Sequence, residues 1–263
     1  MINPMQPNAC PIIEIRHETE MEYTFRIETT IKVSHGQFLQ LSLPKIGECP
    51  ISVSESGDGW LEFTVRKVGR VTDAFFEQHP GDLIFIRGPY GKGWPIADIN
   101  GKHLVIIAGG TGVSPVRSLL NACIDRRIDT KSVHLICGFK NEECILFRDE
   151  LEKWKKVFNT TFCLDSGKKA GWETGFVTEH IHTLPLSEFG EEYNALIVGP
   201  PPMMKATGKG LIKNGFAEDK IWMSFERKMS CAIGKCGHCR IDEVYVCLDG
   251  PVFPYTLAKE LVD

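Results

Sequence analysis

Leu104-Val105-Ile106-Ile107-Ala108-Gly109-Gly110-Thr111-Gly112-Val113-Ser114-Pro115 is an apolar run that breaks into three glycines and ends on a proline. The run is strand-sized, and it lacks the polar alternation of a half-exposed strand, so it reads as a central strand covered on both faces. Pro115 suits the first turn of a helix. Gly109, Gly110 and Gly112 would let a phosphate approach backbone N–H groups at the positive end of that helix. They would equally let strand and helix pack closely, and this stretch alone leaves both readings open.

Working outward, further strands are expected at residues 133–137, 159–164, 195–199 and 221–225. Helices are expected at 116–127, 146–156, 178–183 and 203–214. Alternation of this kind predicts a parallel sheet with helices on its faces. The strand ending Val198-Gly199 runs through Pro200, Pro201 and Pro202 into Met203, a second unusual turn. In an open parallel sheet both turns would lie beyond the carboxyl ends of the strands, where ligands bind. The prolines also serve as plain helix-start punctuation. No G-x-G-x-x-G is present, and Cys137-Gly138-Phe139-Lys140 offers no acid for a ribose.

Before residue 99 the pattern is different. Short β-rich runs at 23–30, 38–43, 51–54, 60–65 and 83–87 are separated by turn residues, an antiparallel pattern that closes into a barrel or sandwich. Gly88-Pro89-Tyr90-Gly91-Lys92-Gly93-Trp94-Pro95 reads as a loop closing this first domain. Arg66, Lys67 and Arg70 either face a pyrophosphate or are solvated charges, and Thr72 is expected to cap a helix starting near Asp73.

The chain carries ten cysteines, and Cys231, Cys236, Cys239 and Cys247 have the spacing C-x4-C-x2-C-x7-C, with Gly234 and Gly237 inside the loop. One C-x2-C preceded by C-x4-C is the plant-type [2Fe-2S] spacing, whereas four-cysteine zinc sites usually show two C-x2-C knuckles. The glycines allow turns that aim N–H groups at sulfur. Zinc and plain reduced thiols remain the alternatives. Cys137 and Cys163 end strands and read as small buried apolar groups.

With 263 residues and a formal net charge of −4, two domains are expected and a polyanion such as nucleic acid is a poor partner. Apolar runs are strand-sized, so no membrane span is expected. Residues 1–11 show no basic cluster followed by an apolar stretch, which makes the cytoplasm the expected compartment.

Together, Pro50-Ile51-Ser52-Val53, the Val68-Gly69-Arg70-Val71-Thr72 segment, the 88–94 loop, both glycine turns and the cysteine tail resemble the ferredoxin-NADP reductase superfamily. The resemblance covers nearly the whole chain and is strongest with its iron-sulfur flavoprotein electron-transfer subunits, those of sulfite reductase, sulfhydrogenase and dihydroorotate dehydrogenase complexes. It implies an N-terminal antiparallel Greek-key β-barrel that binds FAD (1–98), a parallel-sheet α/β domain that binds NAD(H) (99–224) and a small C-terminal [2Fe-2S] segment (225–263).

By the same resemblance, Pro50, Ile51, Ser52, Val53, Arg66, Val68, Gly69 and Thr72 meet the flavin cofactor. Gly109, Gly110, Thr111, Gly112, Gly199, Pro200 and Met203 match the nicotinamide-nucleotide site. Ser224, Phe225 and Glu226 match the position that approaches the flavin, and catalytic roles fall to Ser52 and Glu226. The four cysteines Cys231, Cys236, Cys239 and Cys247 would hold the cluster. Many relatives carry an arginine where this chain has Cys49, leaving Arg66 as the expected cation. The implied activity is oxidation of NADH through FAD and the cluster, feeding the catalytic and iron-sulfur subunits of a sulfite reductase complex. A stand-alone NAD(P)H flavin reductase and a zinc-stabilised scaffold are the competing classes. Lys140, Lys168 and Lys169 are candidates for a 2′-phosphate, and Arg227, Lys228, Lys235, His238 and Arg240 form a basic rim suited to an acidic partner.

Overall fold

The computed structural model describes residues 5–261; residues 1–4 of the stretch read for a leader, and 262 and 263 of the tail, lie outside them. The described residues form two compact units, 5–94 with 226–251, and 95–225 with 252–261.

In the first unit six strands close a barrel: β1 (Asn8–His17), β2 (Glu22–Glu28), β3 (Phe38–Leu43), β4 (Gly47–Gly57), β5 (Trp60–Arg66) and β6 (Leu83–Tyr90). The order around the barrel is β1-β2-β5-β4-β3-β6, with every neighbouring pair antiparallel. Strand β1 is an addition to the five runs expected from the sequence. Alternate residues fill the interior, where Phe25, Phe63, Leu39, Leu41, Ile84 and Ile86 are all fully buried. Each such side chain contributes about 1.5–3 kcal/mol of apolar burial. Helix α1 (Arg70–Phe75) is capped by Gly69, not by Thr72. Thr72 sits inside the helix, where its Oγ1 accepts the N–H groups of Val68 and Gly69, each at 3.0 Å.

The second unit carries β7 (Lys102–Gly109), β8 (Thr130–Phe139), β9 (Asn159–Leu164), β10 (Glu173–Thr174), β11 (Tyr193–Val198) and β12 (Ile221–Ser224). Helices α2 (Ile96–Ile99), α3 (Ser114–Ile124), α4 (Arg148–Val157), α5 (Leu186–Phe189) and α6 (Pro201–Lys213) connect or cover them. Residues 178–183, expected as a helix, lie within a 3-10 turn, Val177–Thr183. Leu104 to Ala108 are fully buried, as an apolar run covered on both faces must be.

The cysteine-rich segment packs with the barrel unit. It holds a small hairpin, β13 (Arg240–Ile241) and β14 (Val244–Tyr245), then α7 (Val246–Asp249). Past it, β15 (Val252–Pro254) joins the sheet antiparallel to β12, and α8 (Tyr255–Ala258) follows. The order is therefore β10-β9-β8-β7-β11-β12-β15, parallel except for its last edge strand.

Candidate functional site

At the carboxyl edge of the sheet, register aligns the strand ends: Gly109 pairs with Gly138, Val198 with Ala108, and Ser224 with Val198. The Gly109–Gly112 turn, the Gly199–Met203 turn and the Ser224-Phe225 end thus share one edge. The chain leaves β7 through a 3-10 turn, Gly110–Val113, before α3 begins with Pro115 in its first turn. The four glycines do different work. A Cβ on Gly109 or Gly199 would fall 2.5 Å from the sulfur of Met203, and one on Gly112 would fall 2.6 Å from the carbonyl oxygen of Val198. Gly112 needs glycine because backbone stands in the way and Gly199 because of its φ of +157°, whereas at Gly109 the flexible Met203 side chain is the only close neighbour. Gly110 is the open one, with φ +56° and nothing within 4 Å of a Cβ. Pro201 and Pro202 occupy the start of α6, and Met203 closes over both glycine turns. Lys140 and Lys168 are exposed, whereas Lys169 is paired with Glu142 at 2.5 Å. That pairing lowers the Glu142 carboxyl below its usual range.

In the barrel unit, Pro50 to Val53 lie in β4, with Ser52 opposite Phe38 in β3. Cys49 pairs with Leu41 in register and packs against the barrel core; burial and the neighbouring Glu48 push its thiol up to about 12. It is a half-buried thiol packed on the barrel core, with no charge to offer a phosphate. Arg66 pairs with the buried Glu22 at 3.3 Å and keeps 56% of its side chain in solvent. Val68, Gly69 and Arg70 beside it are exposed. Sequence pattern gives no signal for Ser54, whose buried hydroxyl on β4 has no partner among the described residues. The unpartnered Ser54 hydroxyl has hydrogen-bonding capacity to spare on β4, and the exposed Arg66 at the end of β5 offers a charge suited to an anionic cofactor. Glu226 has an exposed surface, yet the protein density around its carboxyl desolvates it and raises its pKa, opposed by the Arg66 charge.

Backbone turns wrap the cysteine loop around its own sulfurs. The N–H groups of Ile233, Lys235 and Cys236 point at Cys231 Sγ at 3.4, 3.3 and 3.4 Å. Gly234 N donates to Cys247 Sγ at 3.3 Å, and Cys247 N to Cys239 Sγ at 3.5 Å. These turns require left-handed backbone at Gly234 (φ +70°), Gly237 (φ +78°) and Ala232 (φ +59°). Burial opposes ionisation of Cys231, but the three N–H groups and the Cys236 thiol overcome it and bring the thiol down to about 6. Cys247 is pushed up to about 12 by burial, with hydrogen bonding to Cys239 adding to it. Among the described residues no three His, Cys, Asp or Glu side chains converge on one point as a single ion would require. Converging N–H groups around anionic sulfur nevertheless fit an iron-sulfur cluster, whose thiolates they stabilise. Around the loop Lys228, Lys235, Cys236 and His238 are exposed, while Arg240 is taken by Glu243 at 2.8 Å.

Arg87 is a further residue that no sequence motif marks. This β6 guanidinium is 3% exposed and donates to the Glu48 carboxylate, to Tyr90 Oη at 3.0 Å and to the carbonyl of Cys231 at 2.6 Å. Burial disfavours its charge, and the bonds to Glu48 and Tyr90 outweigh that and raise its pKa.

A barrel, a nucleotide-type sheet and a sulfur-directed cysteine loop define a reductase-type electron-transfer protein. Known proteins agree. Residues 106–209 match the oxidoreductase NAD-binding domain family, and 226–258 match the iron-sulfur cluster binding domain of dihydroorotate dehydrogenase B. The chain is 35% identical to the sulfhydrogenase 2 gamma subunit of Pyrococcus furiosus, covering 97% of this chain and 96% of that one. It is 34% identical to a probable dihydroorotate dehydrogenase B (NAD(+)) electron transfer subunit of Methanocaldococcus jannaschii, over 94% and 90% of the two chains. The solved structure of an NADH-dependent reduced ferredoxin-NADP oxidoreductase superposes with a TM-score of 0.79 at 22% identity, over 97% of this chain and 89% of that one. The chain belongs to the family of ferredoxin-NADP reductase-like electron-transfer subunits that includes sulfhydrogenase gamma and the dihydroorotate dehydrogenase B electron-transfer subunit. It is an oxidoreductase-type subunit that carries an NAD-binding domain and an iron-sulfur cluster binding domain. No helix among the described residues is long and apolar enough to cross a membrane.

Proposed function

We propose that this chain is the NADH-oxidising electron-transfer subunit of a larger complex, with residues 1–98 serving FAD, 99–224 serving NAD(H) and 225–263 serving a [2Fe-2S] cluster. The observation that carries the reading is the ring of N–H groups on Cys231, in a loop whose C-x4-C-x2-C-x7-C spacing is plant-type. Cys231, Cys236, Cys239 and Cys247 would hold the cluster as its four thiolate donors. When bound, a flavin would supply the exchange between two-electron hydride chemistry and single-electron transfer, and the cluster would supply a one-electron acceptor.

This chain's own residues bind and orient. Gly110 leaves room for a phosphate beside the N-terminal turn leading into α3, while Gly109, Gly112, Gly199 and Met203 hold the two turns together. Pro200 sets the entry to α6, and Thr111 stands in the 3-10 turn. Pro50, Ile51, Ser52, Val53, Val68 and Gly69 present a largely backbone surface to the flavin, with Arg66 as its cation and Thr72 bracing the 68–69 turn. Ser52 and Glu226 are the side chains assigned to proton handling, and burial raises the Glu226 carboxyl above its usual range against the opposing Arg66 charge. Ser224 and Phe225, at the sheet edge, complete the set.

The terminal partner in this reading is a sulfite-reducing subunit, making the chain the equivalent of the electron-transfer subunit of anaerobic sulfite reductase. Support comes from the ordered motif series from Pro50 to Phe253. A sulfhydrogenase-type partner is the second reading, favoured by the 35% identity to a gamma subunit along nearly the full length. Purification of the native complex separates them. Sirohaem in the co-purified partner is the expected result, and nickel in its place would overturn the sulfite reading in favour of the hydrogenase one.

A further inference from the structure

Sequence pattern marks the 88–94 loop only as a closure of the first domain, and the family assignment gives Arg87 no role. In the structure the end of β6 and this loop grip both ends of the cysteine segment. At the entry, Arg87 Nη1 donates to the carbonyl of Cys231 at 2.6 Å and Nη2 to that of Ser230 at 2.5 Å. At the exit, Lys92 N donates to Gly250 O at 2.5 Å, and a Cβ on Gly91 would fall 2.5 Å from Pro251. The remaining donors of Arg87 bind the Glu48 carboxylate and Tyr90 Oη, which fixes the guanidinium in a single pose.

We propose that Arg87, held by Glu48, is a positioning residue that locks the first cluster cysteine to the barrel and whose charge sets the reduction potential of the bound cluster. The proposal rests on the reading of residues 231–247 as an iron-sulfur site. Arginine suits this position because its planar fork reaches two consecutive carbonyls and a carboxylate at once, which the ammonium of lysine does not. The guanidinium is 3% exposed, so water screens its field only weakly. Adding an electron makes the cluster more negative, and a fixed positive charge favours that state. Glu48 offsets part of the effect.

The test is a redox titration of the cluster followed by electron paramagnetic resonance, on the full chain carrying Arg87→Gln, Arg87→Lys or Glu48→Gln, with iron and acid-labile sulfide counted for each. Arg87→Gln is expected to move the one-electron equilibrium about tenfold toward the oxidised cluster, a fall of about 59 mV. Glu48→Gln is expected to move it upward, and Arg87→Lys to fall between wild type and Arg87→Gln. A purely structural role would loosen the loop in both Arg87→Gln and Glu48→Gln without giving shifts of opposite sign. If Arg87→Gln fails to retain the cluster, the upward shift in Glu48→Gln still decides. Unchanged potentials, or shifts of one sign, with full cluster content overturn the role of Arg87. Absence of iron and sulfide from the wild-type chain would instead remove the cluster reading itself.

Discussion

The carbonyl oxygen of Val198 occupies the space that a side chain on Gly112 would need: a Cβ there would fall 2.6 Å from it, and Gly199 crowds the same point from 2.8 Å. Two strand-end turns distant in sequence are therefore fitted to each other at the backbone. No flexible group stands there to give way.

Gly112→Ala is accordingly expected to cost about 1–3 kcal/mol of stability through overpacking. Gly110→Ala meets no neighbour and is strained only by its positive φ, by about 1–2 kcal/mol. Its larger effect is expected on the nucleotide, with the Kd for NADH rising about tenfold, or 1.4 kcal/mol. Chemical denaturation and NADH titration of both variants check this division; equal NADH affinity in Gly110→Ala and wild type would return Gly110 to a packing role.

Replacing any one of Cys231, Cys236, Cys239 or Cys247 by serine is expected to remove most of the iron and acid-labile sulfide while leaving flavin content near wild type. Cys137→Ser and Cys163→Ser, which alter buried thiols of the sheet, should leave the iron in place. Iron retained in full by Cys231→Ser would contradict the ligand assignment.

Barrel stability rests in part on Glu62. It is fully buried and bonds Arg16 at 2.9 and 2.8 Å and Arg26 at 2.8 Å, and the two guanidiniums keep 32% and 31% of their surface in water. Removing the carboxylate leaves the two guanidiniums to share Glu14, which lies 3.6 Å from Arg16 and 3.1 Å from Arg26. Glu62→Ala is expected to cost about 3 kcal/mol, the lower end for a broken buried pair because both guanidiniums are partly in solvent and keep Glu14 as a partner. Urea unfolding of the two proteins measures it.

The cluster-free protein carries a pH signature. The Cys231 thiol is lowered to about 6 from an ordinary 9.0, so its thiolate stabilises the fold fully above pH 9, and that contribution fades as pH falls toward 6. Cys247 runs the other way: raised to about 12, its protonated form stabilises the fold below pH 9, and the contribution fades as pH climbs toward 12. Alkylation follows the thiolate. Mass spectrometry of iodoacetamide-treated apoprotein should show Cys231 modified with a midpoint near pH 6 and Cys247 untouched at pH 8.

Much of this is legible in the residues. The apolar run at Leu104 marks the central strand because burial on both faces leaves no polar alternation, and the cysteine spacing carries its chemistry locally. Strand β1 is hidden, since Asn8-Ala9-Cys10-Pro11 opens it without a β-forming pattern. Strand β15 is three residues long and contains a proline, so its pairing with β12 comes from tertiary context. Arg87 is illegible for a different reason: its partner carbonyl at Cys231 lies 144 residues along the chain. No local period reports a contact of that range. The choice between phosphate binding and packing at the glycines likewise needs the position of Met203.

The central claim is that NADH, flavin and cluster are connected in that order within this one chain. It is tested most directly by freezing anaerobically purified protein after addition of NADH and recording its electron paramagnetic resonance spectrum. A signal of a reduced [2Fe-2S] cluster, absent before NADH, is the predicted result. A silent spectrum from protein whose iron, sulfide and flavin are all present would contradict the relay.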